Sequence, residues 1–98
     1  MKAIDFATHL ARAILTTKLS LHESATLIAI AAGLELANDI ARQLDQPRTG
    51  IHNSIHSLTK RNLIRPATWL DDGTPVYRLT PAGRELIINH FLVSIPKH

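Results

Sequence analysis

The sequence predicts a mainly α-helical single domain, residues 1–98, that carries one small β-hairpin. Its 98 residues match the usual size of one domain. Apolar residues recur at helical spacing over most of the chain, and Asp72-Gly73 separates two short extended runs, which is a strong hairpin signal. Apolar residues make up 45% of the chain and charged residues 19%, the balance of a folded domain rather than a disordered one.

The first third of the chain predicts two helices. Residues 3–18 place apolar side chains on one face of an amphipathic helix. Ser20 and Glu23 have the spacing of a capping box, so a second helix is expected to begin there and to end at Gly33. Because the second helix is apolar on nearly every side, we expect it in the middle of the domain.

A short strand at residues 34–36 and two further helices are predicted next. Asn38 is a suitable N-cap for a helix over residues 39–44. Pro47 suits the first turn of the following helix, which runs to about residue 61. Asn62 can then adopt the left-handed conformation that ends a helix.

The last third predicts a hairpin and a final helix. Strands at residues 65–70 and 75–79 flank the turn, and Thr80 caps a helix that has Pro81 in its first turn and fades at Pro96. The predicted order is α-α-β-α-α-β-β-α. Two short helices joined by a turn and followed by a hairpin make up a winged helix-turn-helix. We divide the domain into N-terminal helices (1–33), helix-turn-helix and wing (34–80) and a C-terminal helix (81–98).

Three segments, within residues 36–86, resemble the MarR family of winged-helix repressors. Residues 38–44 (Asn-Asp-Ile-Ala-Arg-Gln-Leu) resemble its first motif helix, and residues 58–64 (Leu-Thr-Lys-Arg-Asn-Leu-Ile) resemble the end of its recognition helix. Residues 79–86 (Leu-Thr-Pro-Ala-Gly-Arg-Glu-Leu) resemble the signature that follows its wing. The resemblance implies a DNA-binding repressor. The chain departs from the family in having little length for extra terminal helices and an acidic hairpin tip, where family wings usually carry arginine.

The helix after Pro47 carries the candidate DNA-reading residues. At 100° per residue, Ile51, Ile55 and Leu58 share the core-facing side, and the opposite side is polar without a carboxylate. Residues 46–70 contain no Asp or Glu, as expected of a surface that lies on a polyanion. Short polar and planar side chains read base edges, and cations hold phosphates. The predicted DNA-binding residues are Arg48, Thr49, Gly50, His52, Asn53, His56, Ser57, Lys60, Arg65 and Arg78. The alternatives are an ordinary solvated helix face or a protein-binding face.

Other constellations predict no catalysis, cofactor or metal. The chain has no cysteine, and His52 and His56, although spaced i and i+4, lack further ligands. No nucleophile motif or phosphate loop is present, so we do not expect an enzyme. Trp69 and Tyr77 are expected to pack the hairpin onto the helices, with base stacking as the alternative.

The terminal helices predict a homodimer. Seven large apolar residues occupy ten positions near the C-terminus, more than one helix face can bury. We expect them to pack across a two-fold axis with Phe6, Leu10 and Ile14. The seven are Leu86, Ile87, Ile88, Phe91, Leu92, Val93 and Ile95.

Together these features predict a cytoplasmic, dimeric, sequence-specific regulator that binds double-stranded DNA and represses transcription. The longest apolar stretch, residues 27–34, is far short of the about 20 residues that span a membrane. The net charge of +3 is compatible with a nucleic-acid partner. The alternative is a winged-helix adaptor that binds protein in a replication or mobile-element assembly.

Overall fold

The computed structural model describes residues 3–91, with the backbone alone for residues 3–7, 9 and 10. It confirms the predicted fold class: helices around one core, with a single antiparallel hairpin among the described residues. The elements are α1 (Ala3–Thr17), α2 (Leu21–Ala31), α3 (Ala37–Leu44), α4 (Arg48–Lys60), β1 (Ile64–Trp69), β2 (Pro75–Leu79), α5 (Pro81–Leu86) and one π-helical turn (Ile87–Phe91).

Helix α2 lies in the middle of the domain, as predicted. Its capping box is formed, because the Ser20 hydroxyl accepts from the Glu23 N–H at 3.0 Å and the Glu23 carboxylate accepts from the Ser20 N–H at 2.8 Å. Leu27 is fully buried. The helix ends where Gly33 adopts φ +105°, a conformation that favours glycine.

The core joins α2, α3 and α4 to the start of the hairpin and the C-terminal helix. Ile51, Ile55 and Leu58 of α4 are all buried, as the helical spacing predicts. Asn62 has φ +60°, and the Leu63 N–H donates to the Leu58 carbonyl, which confirms the left-handed end of α4.

Two local predictions in residues 34–44 are wrong. Asn38 does not cap α3; the helix begins two residues earlier than predicted, at Ala37, with Leu36 as an extended N-cap that makes no side-chain hydrogen bond. Ala37 is buried, so packing rather than side-chain capping determines the start. Residues 34–36 form no assigned strand. They contribute one backbone bond to the hairpin, from the Tyr77 N–H to the Glu35 carbonyl at 2.8 Å.

The hairpin forms around the predicted turn. Gly73 has φ +87°, and the Asp72 carboxylate accepts from the Thr74 N–H at 2.9 Å, which shapes the tip. Tyr77 packs against the core, whereas Trp69 is 59% exposed. The expectation that both aromatic residues pack onto the helices is therefore wrong for Trp69. Burial along β1 falls from Ile64, which is buried, to Thr68 and Trp69, which are exposed, so the helices cover only the start of this strand.

The final helix is α-helical over Pro81–Leu86 and continues as the π-helical turn Ile87–Phe91. Thr80 caps it by accepting from the Gly83 N–H, and Pro81 occupies the first turn, as predicted. Ile87 and Phe91 are buried, while Ile88 is 49% exposed. Leu92, Val93, Ile95 and Pro96, and the side chains of Phe6 and Leu10, lie outside the described residues. Within residues 3–91, no helix is long and apolar enough to cross a membrane.

Candidate nucleic-acid interface

Helix α4 presents one continuous exposed face. Thr49, Asn53, His56 and Lys60 are exposed at the spacing the sequence predicts, and Arg48, Gly50 and His52 are exposed beside them. The buried residues of the same helix lie on the opposite side. The face therefore offers amide, hydroxyl, imidazole, guanidinium and ammonium groups, and no α4 residue is acidic.

Neighbouring elements extend the α4 face on both sides. On the hairpin side, His52 and His56 line a shallow hollow with Pro66 and Tyr77. On the other side, Asn53 and Gly50 line a hollow that also contains His22. A third hollow joins Arg48 and His52 to Asn38 and Thr74. The structure thus forms one polar surface from α4, the starts of α2 and α3, and the hairpin.

Sequence reasoning missed Asn38, His22 and Thr74 as members of this surface. Asn38 was interpreted only as a helix cap, although its exposure in the first turn of α3 leaves it beside Arg48 and His52. His22 is 30 positions before His52, and only the packing of α2 against α4 brings it near. No spacing pattern in the sequence indicates that His22 and α4 lie close together.

Ser57 differs from the other predicted contacts because its hydroxyl donates to the Glu23 carboxylate. Glu23 thereby links the start of α2 to the last turns of α4. Nearby, Arg61 donates to the carbonyls of Thr17 at 2.9 Å and Lys18 at 3.2 Å. A guanidinium at the C-terminal end of α1 satisfies backbone carbonyls that have no partner within the helix. Its positive charge also interacts favourably with the negative end of the helix dipole. Ser57 and Arg61 therefore fasten α4 to α2 and α1.

The same contacts set the acidity of Glu23. Partial burial raises the pKa of Glu23, but the hydrogen bonds from Ser57 and Ser20 and the charge of Arg61 outweigh burial and hold the pKa below its ordinary value. A carboxyl whose pKa is lowered by folding stabilises the native state in its ionised form. That stabilisation is complete above the pKa of the unfolded chain and is lost as pH falls through the lower, folded value.

We therefore expect Glu23→Gln to cost stability at neutral pH and progressively less below about pH 4.3, the ordinary pKa of glutamate. Glutamine can keep the capping box, so the difference reports the charged contacts with Ser57 and Arg61. The measurement is urea unfolding of both proteins between pH 7 and pH 3. Glu85→Gln, an exposed glutamate on α5, is the matched control. A difference between wild type and Glu23→Gln that does not change with pH would contradict the assignment.

Arg65 and Arg78 lie away from the α4 face. They are directly paired across the two strands, so their side chains point to the same side of the hairpin. The next pair, Pro66 and Tyr77, faces α4 and lines the hollow of His52 and His56. Strand side chains alternate between faces, and Arg65 and Arg78 line a different hollow, behind the hairpin. There the Arg78 Nε donates to the Glu35 carboxylate at 2.7 Å.

Among residues 3–91, no group of three or more His, Cys, Asp or Glu side chains could hold a metal ion.

Among the comparisons with known proteins, the one with solved structures supports the fold. No protein-family model matches the sequence, and no curated protein is significantly similar to it. Solved structures do match. MepR, a transcription regulator of the Staphylococcus aureus multidrug efflux pump MepA, has 18% identity and a TM-score of 0.76 over 89% of this chain. A MepR mutant bound to an oligodeoxyribonucleotide has 17% identity and a TM-score of 0.79 over 92% of this chain.

A MarR-family regulator from Silicibacter pomeroyi has 17% identity and a TM-score of 0.73 over 90% of this chain. The chain spans 65% of MepR, 68% of the DNA-bound mutant and 60% of the Silicibacter protein. The likeness covers about nine tenths of this chain. The protein therefore has the winged-helix fold of the MarR-family transcription regulators, as the three sequence segments predicted.

Proposed function

We propose that this protein is a sequence-specific transcription regulator that binds double-stranded DNA through α4. The observation that carries the proposal is the exposed α4 face, which is polar and cationic and contains no carboxylate. An ordinary exposed helix usually mixes Glu with Lys, since such pairs stabilise it. Their absence here is expected where a helix lies against phosphates.

The exposed α4 residues that the sequence predicts as DNA contacts fall into groups with different roles in the proposal. Asn53, at the centre of the face, has the amide that pairs with adenine in the major groove. Thr49, His52 and His56 supply shorter or planar groups beside it, and Gly50 allows close approach of the backbone. Arg48 and Lys60, at the two ends, hold phosphates on either side of the groove.

Three predicted residues are left out of the proposed contact surface. The Ser57 hydroxyl is engaged by Glu23, so Ser57 positions α4 rather than reading DNA. Arg65 and Arg78 lie behind the hairpin, with Arg78 paired to Glu35. The proposed contact surface is therefore α4 with Asn38 and His22 at its edges.

The solved relatives support the proposal through their own ligands. Two of them are MepR structures with DNA, one described as bound to an oligodeoxyribonucleotide and one as a MepR–DNA complex. The MepR–DNA complex matches this chain with a TM-score of 0.74 over 88% of its length. The shared fold, together with the polar α4 face of this chain, favours the same class of partner.

Selection of bound sequences from random duplex DNA at fixed salt tests the proposal. We expect one enriched motif, with specific binding at least about a thousandfold tighter than random duplex. Binding without an enriched motif would show only non-specific electrostatic attraction to DNA and would contradict sequence specificity. Absence of binding at low salt would overturn the whole proposal. The control is the protein with Asn53, His56 and Lys60 all replaced by Ala.

We further propose that the active form is a homodimer that represses by occupying its site. Ile88 is 49% exposed and Leu15 of α1 is 79% exposed, so both terminal helices present apolar surface. Two-fold dimers read palindromes with half-sites one helical turn apart. Sedimentation at micromolar concentration should therefore give about twice 10.8 kDa, and the selected motif should be a palindrome. A monomer that binds a palindromic site would contradict the dimer.

A protein-interaction adaptor is the second candidate, and the hairpin tip favours it. Trp69 and Leu70 are 59% and 45% exposed there, next to Asp71 and Asp72. An exposed aromatic residue beside acidic groups is typical of a protein contact rather than of a phosphate contact. Absence of any enriched DNA motif, together with loss of protein binding on Trp69→Ala, would favour this alternative.

A further inference from the structure

A hollow behind the hairpin brings three arginines together. Arg65 and Arg78 come from the two strands and Arg84 from α5, and all three line the same concavity. Glu35 is the one carboxylate that lines it, and it is bound to Arg78. This cluster, Arg65, Arg78, Arg84 and Glu35, is here called the arginine hollow. None of the α4 residues proposed to contact DNA lines it.

The arginine hollow has uncompensated positive charge. Three arginines and one glutamate line the hollow, and the C-terminal end of α2, which reaches it at Ala31, adds roughly half a negative charge. The balance is about +1.5. Moreover, Arg65 and Arg78 are directly opposed across the strands, an arrangement of like charges that destabilises a hairpin.

The geometry of the hollow suits a small anion. Arginine presents a rigid fork of donors that matches the oxygens of phosphate and carboxylate groups. Glu35 already shows this chemistry, because its carboxylate accepts from the Arg78 Nε at 2.7 Å. One carboxylate cannot saturate three guanidinium groups, and Ile30 and Leu79 add apolar surface to the lining.

We propose that the arginine hollow binds a small oxyanion, a phosphate or carboxylate group, between Arg65, Arg78 and Arg84. The bound anion would neutralise the opposed pair of strand arginines. The site is independent of the proposed DNA surface, because the hairpin separates the two. Its test therefore uses the full chain without DNA.

Titration followed by ¹H–¹⁵N NMR of the arginine Nε–Hε groups tests the site. Inorganic phosphate and hexanoate are the two probes, and the second adds a hydrocarbon tail for the apolar lining. We expect saturable shifts of the three arginines with a Kd of about 1 mM for at least one probe. Tighter binding of hexanoate would identify an organic carboxylate, and tighter binding of phosphate would identify a phosphate group.

Variants of opposite expected sign make the test specific. Arg84→Gln should weaken binding by about threefold or more, since it removes one charged donor. Glu35→Gln should tighten binding, because it removes the internal competitor. Arg42→Gln, on α3 and paired with Asp39, is the matched control and should change nothing. Equal weakening by Arg42→Gln and Arg84→Gln, or shifts that do not saturate, would overturn the proposal.

DNA backbone is the other anion that these arginines could meet. Titration of Arg84→Gln and Arg78→Gln with DNA at several salt concentrations distinguishes a small-anion site from a contact with the DNA backbone. The small-anion site predicts an unchanged salt slope. A slope lower by about one unit for each variant would make these residues phosphate contacts and overturn the proposal.

Discussion

Gly83→Ala is expected to destabilise the protein by about 3 kcal/mol or more. A Cβ built on Gly83 lies 1.9 Å from the carbonyl oxygen of Leu63 and 2.9 Å from its carbonyl carbon. Both atoms belong to backbone that cannot rotate away, and the same Leu63 oxygen accepts from the Thr80 N–H at 3.1 Å. The substitution must therefore separate α5 from the start of β1.

This expectation opposes helix propensity. Alanine inside a helix is favoured over glycine by up to about 1 kcal/mol, so propensity alone predicts that Gly83→Ala stabilises α5. Gly50→Ala is the matched control, because nothing lies within 4 Å of a Cβ at Gly50 in α4. Urea unfolding of the two variants should move in opposite directions. Equal stability of Gly83→Ala and wild type would show that α5 can shift away from Leu63 at little cost.

Asn53→Ala is expected to remove sequence discrimination, whereas Lys60→Ala is expected to weaken binding to all duplexes. Losing a base contact costs about 1–3 kcal/mol on the preferred site and little on random DNA. Losing a phosphate contact lowers the salt slope by about one unit. Both side chains are exposed, so neither change should alter the fold. Titration of each variant against the selected duplex and a scrambled duplex, at two salt concentrations, measures the difference.

Asn53→Gln is a useful companion to Asn53→Ala, since it keeps the amide but moves it outward by one methylene. It should lose affinity for the selected site while it keeps the salt slope. If Asn53→Ala lost equal affinity for selected and scrambled duplexes, Asn53 would be a backbone contact. The reading residues would then lie at the edges of the surface, at Asn38 and His22.

Local sequence patterns account for the positions of most helices, the hairpin turn and the two sides of α4. Helical periodicity depends only on local geometry, so Ile51, Ile55 and Leu58 could be assigned to the core and Asn53 and His56 to the surface. The capping box of α2 and the Asp-Gly turn are also local, because their hydrogen bonds join residues two or three positions apart. The segment resemblances added the winged-helix fold, which the comparisons confirm.

Which polar residues share a surface depends on long-range packing, which local sequence patterns do not specify. Ser57 meets Glu23, 34 positions away, and Arg78 meets Glu35, 43 positions away. The direction of Arg65 and Arg78 depends on strand register, since a shift of one residue would move every side chain to the other face. The exposure of Trp69 likewise depends on how the hairpin packs against the helices. Contacts across such distances arise from packing, and the local patterns of a single sequence contain no record of them.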